Sequence, residues 1–148
     1  TLMRNFQGER LMLAGFGHAA AELCLLKASE WAREREAFGR SLMGFQVTRH
    51  KLVDMATKVL SAKALNYWVA GRVAAGDYLV AETSMAKNHS ATVANEVCYE
   101  AVQIFGGMGY MRETVVERLS RDVRILPIGG GTQEIMKEIA AKTLGYGR

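Results

Sequence analysis

The sequence predicts an all-α protein, an antiparallel up-down bundle of the four-helix type with an additional short helix. Three observations predict it. The 148 residues contain one proline, Pro127, so long helices run unobstructed. Apolar residues recur at steps of three and four, the helical period, over long stretches. Short glycine-bearing turns separate those stretches, so three helices of about 25 to 35 residues must pack antiparallel.

The first helix places Leu11, Ala14, His18, Ala21, Leu25, Ala28 and Ala32 on one stripe. It is expected to end near Phe38-Gly39, where glycine can take the positive φ that terminates a helix. A second stripe reads Phe45, Leu52, Ala56, Val59, Ala64 and Tyr67 and stops at Gly76-Asp77. A third runs through Ala81, Met85, Val93, Val97, Ala101 and Ile104 to Gly106-Gly107, and its Ala and Ser residues let neighbouring helices approach closely. A shorter segment from Glu113 to Arg124 carries Val115, Val116, Leu119 and Val123. Pro127 and Gly129-Gly130-Gly131 then interrupt the chain before a last helix from Thr132 to Leu144. No strand pattern competes, and there is no repeat, low-complexity tract or linker, so residues 1–148 read as one domain.

Composition narrows the function classes. With 49% apolar and 23% charged residues the chain is a globular domain, and its length suffices to bury a core without metal or disulfide. No run approaches the ~18 consecutive apolar residues of a membrane span, and no signal peptide opens the chain. Cys24 and Cys98 form no CxxC and fall among apolar helical residues, as buried free thiols of an intracellular compartment do. A net charge of +4 permits an anionic partner, but the basic residues are dispersed among acids, and no nucleic-acid partner is expected. Arg118, Arg121 and Arg124 read as a solvated, ion-paired face. The residues three before His18, His50 and His89 are Gly15, Val47 and Ala86, so the Glu-x-x-His pattern of a di-iron bundle is missing and no metal is expected.

Three stretches carry more than a bundle needs. Glu9-Arg10 sets a carboxylate beside a guanidinium as the first stripe begins, where Glu9 also reads as a first-turn acid. Arg35 to Gly39 with Phe45-Gln46 puts a cation, an aromatic ring and an amide around one turn. Gln103 to Tyr110 and Gly129 to Thr132 bare the backbone at two helix breaks, as close approach to a ligand requires, and the second opens a helix N-terminus suited to an anion.

In this order the stretches resemble the C-terminal helical domain of the acyl-CoA dehydrogenases. The motifs are Arg35-Glu-Ala-Phe38-Gly39 with Phe45-Gln46, Gln103-Ile-Phe-Gly106-Gly107-Met-Gly109-Tyr110, Arg121-Asp122, and Ile128-Gly-Gly-Gly131-Thr132-Gln-Glu134-Ile135. The resemblance implies an FAD-dependent α,β-dehydrogenation of an acyl-CoA thioester to trans-2-enoyl-CoA, with electrons passed to an electron-transfer flavoprotein. It implies a homotetramer built as a dimer of dimers, in the bacterial cytoplasm or mitochondrial matrix. Arg35 resembles the arginine at the FAD pyrophosphate, with Phe38 and Gln46 beside it. Gln103, Ile104, Gly106 and Gly107 resemble the segment along the adenosine half of an FAD held mainly by a neighbouring subunit. Thr132, Gln133 and Glu134 resemble the loop touching FAD before the last helix.

The catalytic base departs from the commoner pattern. Where many members carry a glutamate in Ile-Tyr-Glu-Gly-Thr, this chain has Gly130. Isovaleryl-CoA and long-chain acyl-CoA dehydrogenases carry the base instead in a Glu-Arg-Leu pattern of the first helix, which Glu9-Arg10-Leu11 matches. The resemblance therefore implies Glu9 as base, with Gln7, Gly8 and Arg10 in the acyl-CoA-contacting segment. Medium-chain members have an aspartate at the position of Gln7. Gly129 and Gly130 are expected to enlarge the pocket near the thioester, as for a long or branched chain. The N-terminal helical and middle β domains of the family are missing from these residues, so the chain alone is expected to be inactive. Two other readings stand beside this one, a ligand-free oligomerisation module and an acyl-CoA oxidase-like domain.

Overall fold

A computed structural model describes residues 2–147, with side chains from Asn5 onward. Five helices follow in order: α1 (Leu2–Glu34), α2 (Gln46–Ala74), α3 (Val80–Phe105), α4 (Val115–Asp122) and α5 (Gln133–Thr143). The bundle is all-α apart from one small hairpin. α1 and α3 run parallel and side by side, since Gly17 meets Ser90 low in the pair and Trp31 stacks on Phe105 at the top. Their seam is made of small residues: Ala14, Ala21, Cys24, Ala28 and Ala32 on α1 are fully buried against Ala91, Ala94, Val97, Cys98 and Ala101 on α3. A Cβ at Gly17 would lie 3.0 Å from Ser90 O, so a side chain there would press on the α3 backbone. α2 packs antiparallel against both, and Val116, Leu119, Val123 and Leu126 close the side of the core.

The first helix ends four residues before the expected Phe38-Gly39. The chain leaves α1 at Glu34, and β1 (Glu36–Ala37) pairs antiparallel with β2 (Arg40–Ser41). Phe38 and Gly39 connect them at φ 52° and 78°, the double positive φ of a type I′ turn. The dipeptide thus closes a hairpin that the strand-free sequence reading did not contain. Arg40 secures it with its guanidinium 4.0 Å above the Phe45 ring.

The stripe on α2 is also rotated from expectation. Its buried residues are Leu52, Met55, Val59, Ala62, Asn66 and Val69, while Ala56, Ala64 and Tyr67 face outward. Asn66 is tolerated inside because its Nδ2 lies 2.9 Å from Ala14 O, 2.8 Å from Ser90 Oγ and 2.8 Å from His18 Nδ1. α3 and α5 follow the sequence reading closely, and Cys24 and Cys98 are buried free thiols.

α1 starts at Leu2, so Glu9 stands two turns inside the helix rather than in its first turn. The macrodipole, which acts within about the first turn, does not reach it. Within Asn5–Glu34 α1 is long and apolar enough to cross a membrane by length and composition alone, yet its Ala and Cys stripe is the core of the bundle.

Candidate functional site

Two buried cations grip the glycine turn before α5. Arg10, only 6% exposed, donates from Nε to Gly130 O at 3.1 Å across 120 residues of sequence. Lys87 on α3, 1% exposed, donates from Nζ to Gly131 O at 2.6 Å. No carboxylate pairs with either among the described residues, and Arg10 Nη1 is buried without a partner. Burial, and then the neighbouring charge of Arg10, holds the Lys87 ammonium below its ordinary value of 10.5. Gly130 and Gly131 are left-handed at φ 67° and 108°, and a Cβ on Gly130 would lie 2.7 Å from Leu13 Cδ1. The left-handed turn favours glycine at both positions, and a side chain at 130 would need Leu13 to move aside.

The start of α5 is tied down as well. Thr132 Oγ1 accepts from Ile135 N–H at 3.4 Å as the N-cap. Asn88 Nδ2 donates to Gln133 O, and Gln133 Nε2 donates to Thr92 Oγ1, each at 2.9 Å. Glu134 is exposed, and hydrogen bonds from its own N–H and then from the Thr132 hydroxyl hold its carboxyl below the usual range. Gly129 is half-buried, with Ile125 O 3.5 Å from where its Cβ would stand.

Glu9 is exposed and makes no hydrogen bond or ion pair among the described residues. Its neighbour Arg10 turns inward to the glycine turn, so the Glu9-Arg10 step and Gly129–Gly131 come to the same end of the bundle. A cavity of about 310 Å³ lies beside them, lined by Gln7, Gly8 and Leu11 of α1, by Tyr78 and Leu79 of the α2–α3 turn, and by Thr83. Both amide atoms of Gln7 are buried there without a protein partner.

The other end of α1 holds a second site. A groove of about 550 Å³ is lined by Trp31, Arg35, Phe105, Gly107, Met108 and Met111. Trp31 and Phe105 stack at 4.8 Å and 12° to form one wall. Arg35 is exposed and has no ion-pair partner among the described residues. A Cβ on Gly106 or Gly107 would meet nothing within 4 Å, so the backbone there faces open space. Gly109 differs, because its Cβ would lie 2.5 Å from Val102 O and its bareness serves packing. Phe38, 96% exposed, stands edge-on to Phe45 at 6.5 Å, and the amide of exposed Gln46 lies 3.3 Å from His50 Nε2. Gln103 is exposed and Ile104 half-buried at the end of α3.

The three stretches singled out by sequence thus form two sites. The Arg35 turn and the Gln103–Gly107 break share the groove. The Gly129–Gly131 turn joins Glu9-Arg10 about 38 Å away, at ~1.5 Å of rise per helical residue. Sequence reading missed Lys87, whose only signal was a lysine among Ala and Ser on the buried stripe of α3, and the cavity wall at Tyr78, Leu79 and Thr83.

A helical bundle with a pinned glycine turn at one end and an open cation-lined groove at the other is matched by one family model, acyl-CoA dehydrogenase, C-terminal domain, over residues 1–145. The chain belongs to the acyl-CoA dehydrogenase family, as its C-terminal helical domain. The caffeyl-CoA reductase-Etf complex subunit CarC of Acetobacterium woodii is 36% identical over 142 residues, covering 96% of this chain and 38% of that protein. The mitochondrial long-chain specific acyl-CoA dehydrogenase of Mus musculus is 34% identical over 148 residues, covering 97% and 33%. Among solved structures, a probable acyl CoA dehydrogenase from Mycobacterium abscessus superposes with a TM-score of 0.95 at 53% identity, over 97% of this chain and 38% of that one. The chain spans about a third to two-fifths of the length of these relatives.

Proposed function

We propose that this chain is the C-terminal domain of an FAD-dependent acyl-CoA dehydrogenase that converts an acyl-CoA thioester to trans-2-enoyl-CoA, and that Glu9 is its base. The hydrogen bond from Arg10 Nε to Gly130 O carries the assignment. It ties Arg10, the residue next to Glu9, to the turn position at which other members carry the glutamate, so Glu9 and the glycine that replaces the turn's carboxylate lie at the same end of the bundle. Among the described residues Glu9 has no partner to compete for its proton-accepting oxygens. In this reading it removes the α proton of the thioester, while Gln7, Gly8 and the cavity beside them take the acyl-CoA. Gly129 and Gly130 leave room near the thioester. The carbonyls of Gly130 and Gly131 are held by Arg10 and Lys87, which leaves N–H groups of the turn to bond the thioester carbonyl and acidify the α carbon.

FAD supplies the hydride acceptor for the β carbon when bound. The open groove fits its nucleotide half. Gly106 and Gly107 have no Cβ to obstruct a ligand, and Arg35 is an unpaired planar cation suited to a diphosphate. Phe38, Gln46, Gln103 and Ile104 flank that groove end, and Thr132, Gln133 and Glu134 touch FAD at the other. The distance between the two ends favours two cofactors, each shared between this chain and a second copy, in a dimer of dimers. The outward apolar face of α2, with Val53, Leu60, Tyr67 and Trp68 all exposed, supports such an assembly. The flavin-covering β domain and the N-terminal helical domain lie outside these 148 residues in this reading, the electron acceptor is an electron-transfer flavoprotein, and the compartment is the bacterial cytoplasm or mitochondrial matrix.

The test is Glu9→Gln in the FAD-loaded full-length protein. Substrate should no longer bleach the flavin, while FAD stays bound. Retained turnover would remove Glu9 from the chemistry.

A further inference from the structure

We infer that Lys87 is a positioning residue that, together with Arg10, aims and polarises the N–H groups of Gly131 and Thr132. The inference rests on the function proposed above and adds a residue to that site. Every peptide bond in the described chain is trans, so the carbonyl of a peptide and its N–H point in opposite directions. The Gly130 carbonyl shares its peptide with the Gly131 N–H, and the Gly131 carbonyl shares its peptide with the Thr132 N–H. Arg10 and Lys87 hold those two carbonyls toward the interior. The two N–H groups must then face away from the buried cations, and neither donates to a protein group among the described residues. Each carbonyl accepts from a charged donor in a low-dielectric setting, which strengthens the N–H of the same peptide as a donor.

A lysine buried to 1% without a carboxylate is a costly arrangement, and the core gains nothing from it that an apolar residue would not supply. Its Nζ reaches one group, Gly131 O, and that bond fixes a turn rather than a helix-to-helix contact. Glycine visits left-handed φ freely along with other conformations, so bonds to the Gly130 and Gly131 carbonyls are what restrict this turn to one shape. Lys87 therefore acts through the turn and touches no substrate itself.

The experiment compares wild type, Lys87→Met and Lys87→Arg in the full-length protein loaded with FAD. Amide hydrogen exchange over 129–133 is read without substrate, and kcat and KM are read with an acyl-CoA. Lys87→Met should speed exchange at the hydrogen-bonded amides that bracket the turn, Gly129 (to Ile125 O) and Gln133 (to Pro127 O), by about tenfold or more while α3 amides keep their wild-type rates. It should also lower kcat about tenfold to a hundredfold with KM within about threefold, and Lys87→Arg should recover part of both. Unchanged exchange at the turn in Lys87→Met, or a loss spread evenly along α3, would overturn the inference. Wild-type protein that binds FAD but reduces it with no acyl-CoA would sink the proposed function instead, and the exchange comparison would still decide the role of Lys87.

Discussion

At the Trp31–Phe105 end of the bundle Gly106 and Gly107 stand over open space, whereas at the Arg10–Lys87 end Gly130 and Gly131 have Leu13 and Met136 close against them. Gly106 and Gly107 have no neighbour within 4 Å of a Cβ, while a Cβ on Gly131 would lie 2.5 Å from the buried Met136 Cε. The cations follow the same division. Arg35 is exposed and unpaired, but Arg10 and Lys87 are buried and spent on backbone carbonyls. One end leaves its glycine backbone open, and the other has its glycine turn held by buried cations. The same residue types therefore carry opposite roles, and only their surroundings separate them.

The largest expected effect would break this contrast directly. Gly131→Ala should destabilise the chain by about 2 kcal/mol or more, because the new Cβ meets both a left-handed φ and a buried neighbour. Gly107→Ala should stay within about 0.5 kcal/mol, and urea titration of the two variants side by side gives the answer. Equal losses would mean that both turns are structural. Next in size, Arg35→Ala should weaken FAD binding by about tenfold to a hundredfold through the loss of one charged hydrogen-bond donor. Its ligand-free stability should hardly change, so the thermal shift produced by added FAD reads the effect cleanly.

A pH titration sharpens the closed end. Lys87 binds its proton less tightly in the folded state than in the unfolded chain, so between its lowered value and 10.5 the unfolded state holds more protons. Stability should therefore rise with pH through that window, and the rise should vanish in Lys87→Met when midpoints of urea unfolding are compared. The smallest effect belongs to the pair of exposed Arg121 and half-buried Glu117, at 2.6 Å on α4. Arg121→Ala should leave the melting temperature unchanged within error, because surface i,i+4 pairs contribute little.

How much of this could be read from sequence depended on how many faces a helix keeps apolar. α3 buries one broad side, and Ala81, Val93, Val97 and Ala101 of the expected stripe are buried there, whereas Met85 is exposed and Ile104 half-buried. α2 is apolar on two sides, with Leu60 and Tyr67 exposed opposite Met55 and Ala62, so periodicity found helix without finding the buried face. Asn66 hid the true stripe further, since an amide whose Nδ2 is bonded inside the core looks like a surface residue in a sequence. The hairpin at Glu36–Ser41 was too short to show a period, and a phenylalanine at φ 52° gives no warning that glycine would. Both glycine breaks were visible as breaks. Their division into open and enclosed was not, because it depends on Lys87 and Met136 arriving from distant parts of the chain. Family resemblance paired Glu9 with Gly130, and that Arg10 is the residue bonded to the turn was not legible.

The seam between α1 and α3 carries a built-in gauge of integrity. Cys24 and Cys98 are fully buried, and the contact with Cys24, reinforced by burial, pushes the Cys98 thiol up. A thiol so placed has almost no thiolate to offer an alkylating reagent while the helices stay together. The rate at which a maleimide or iodoacetamide labels the chain therefore counts the moments when α1 and α3 part, with no probe added to the protein.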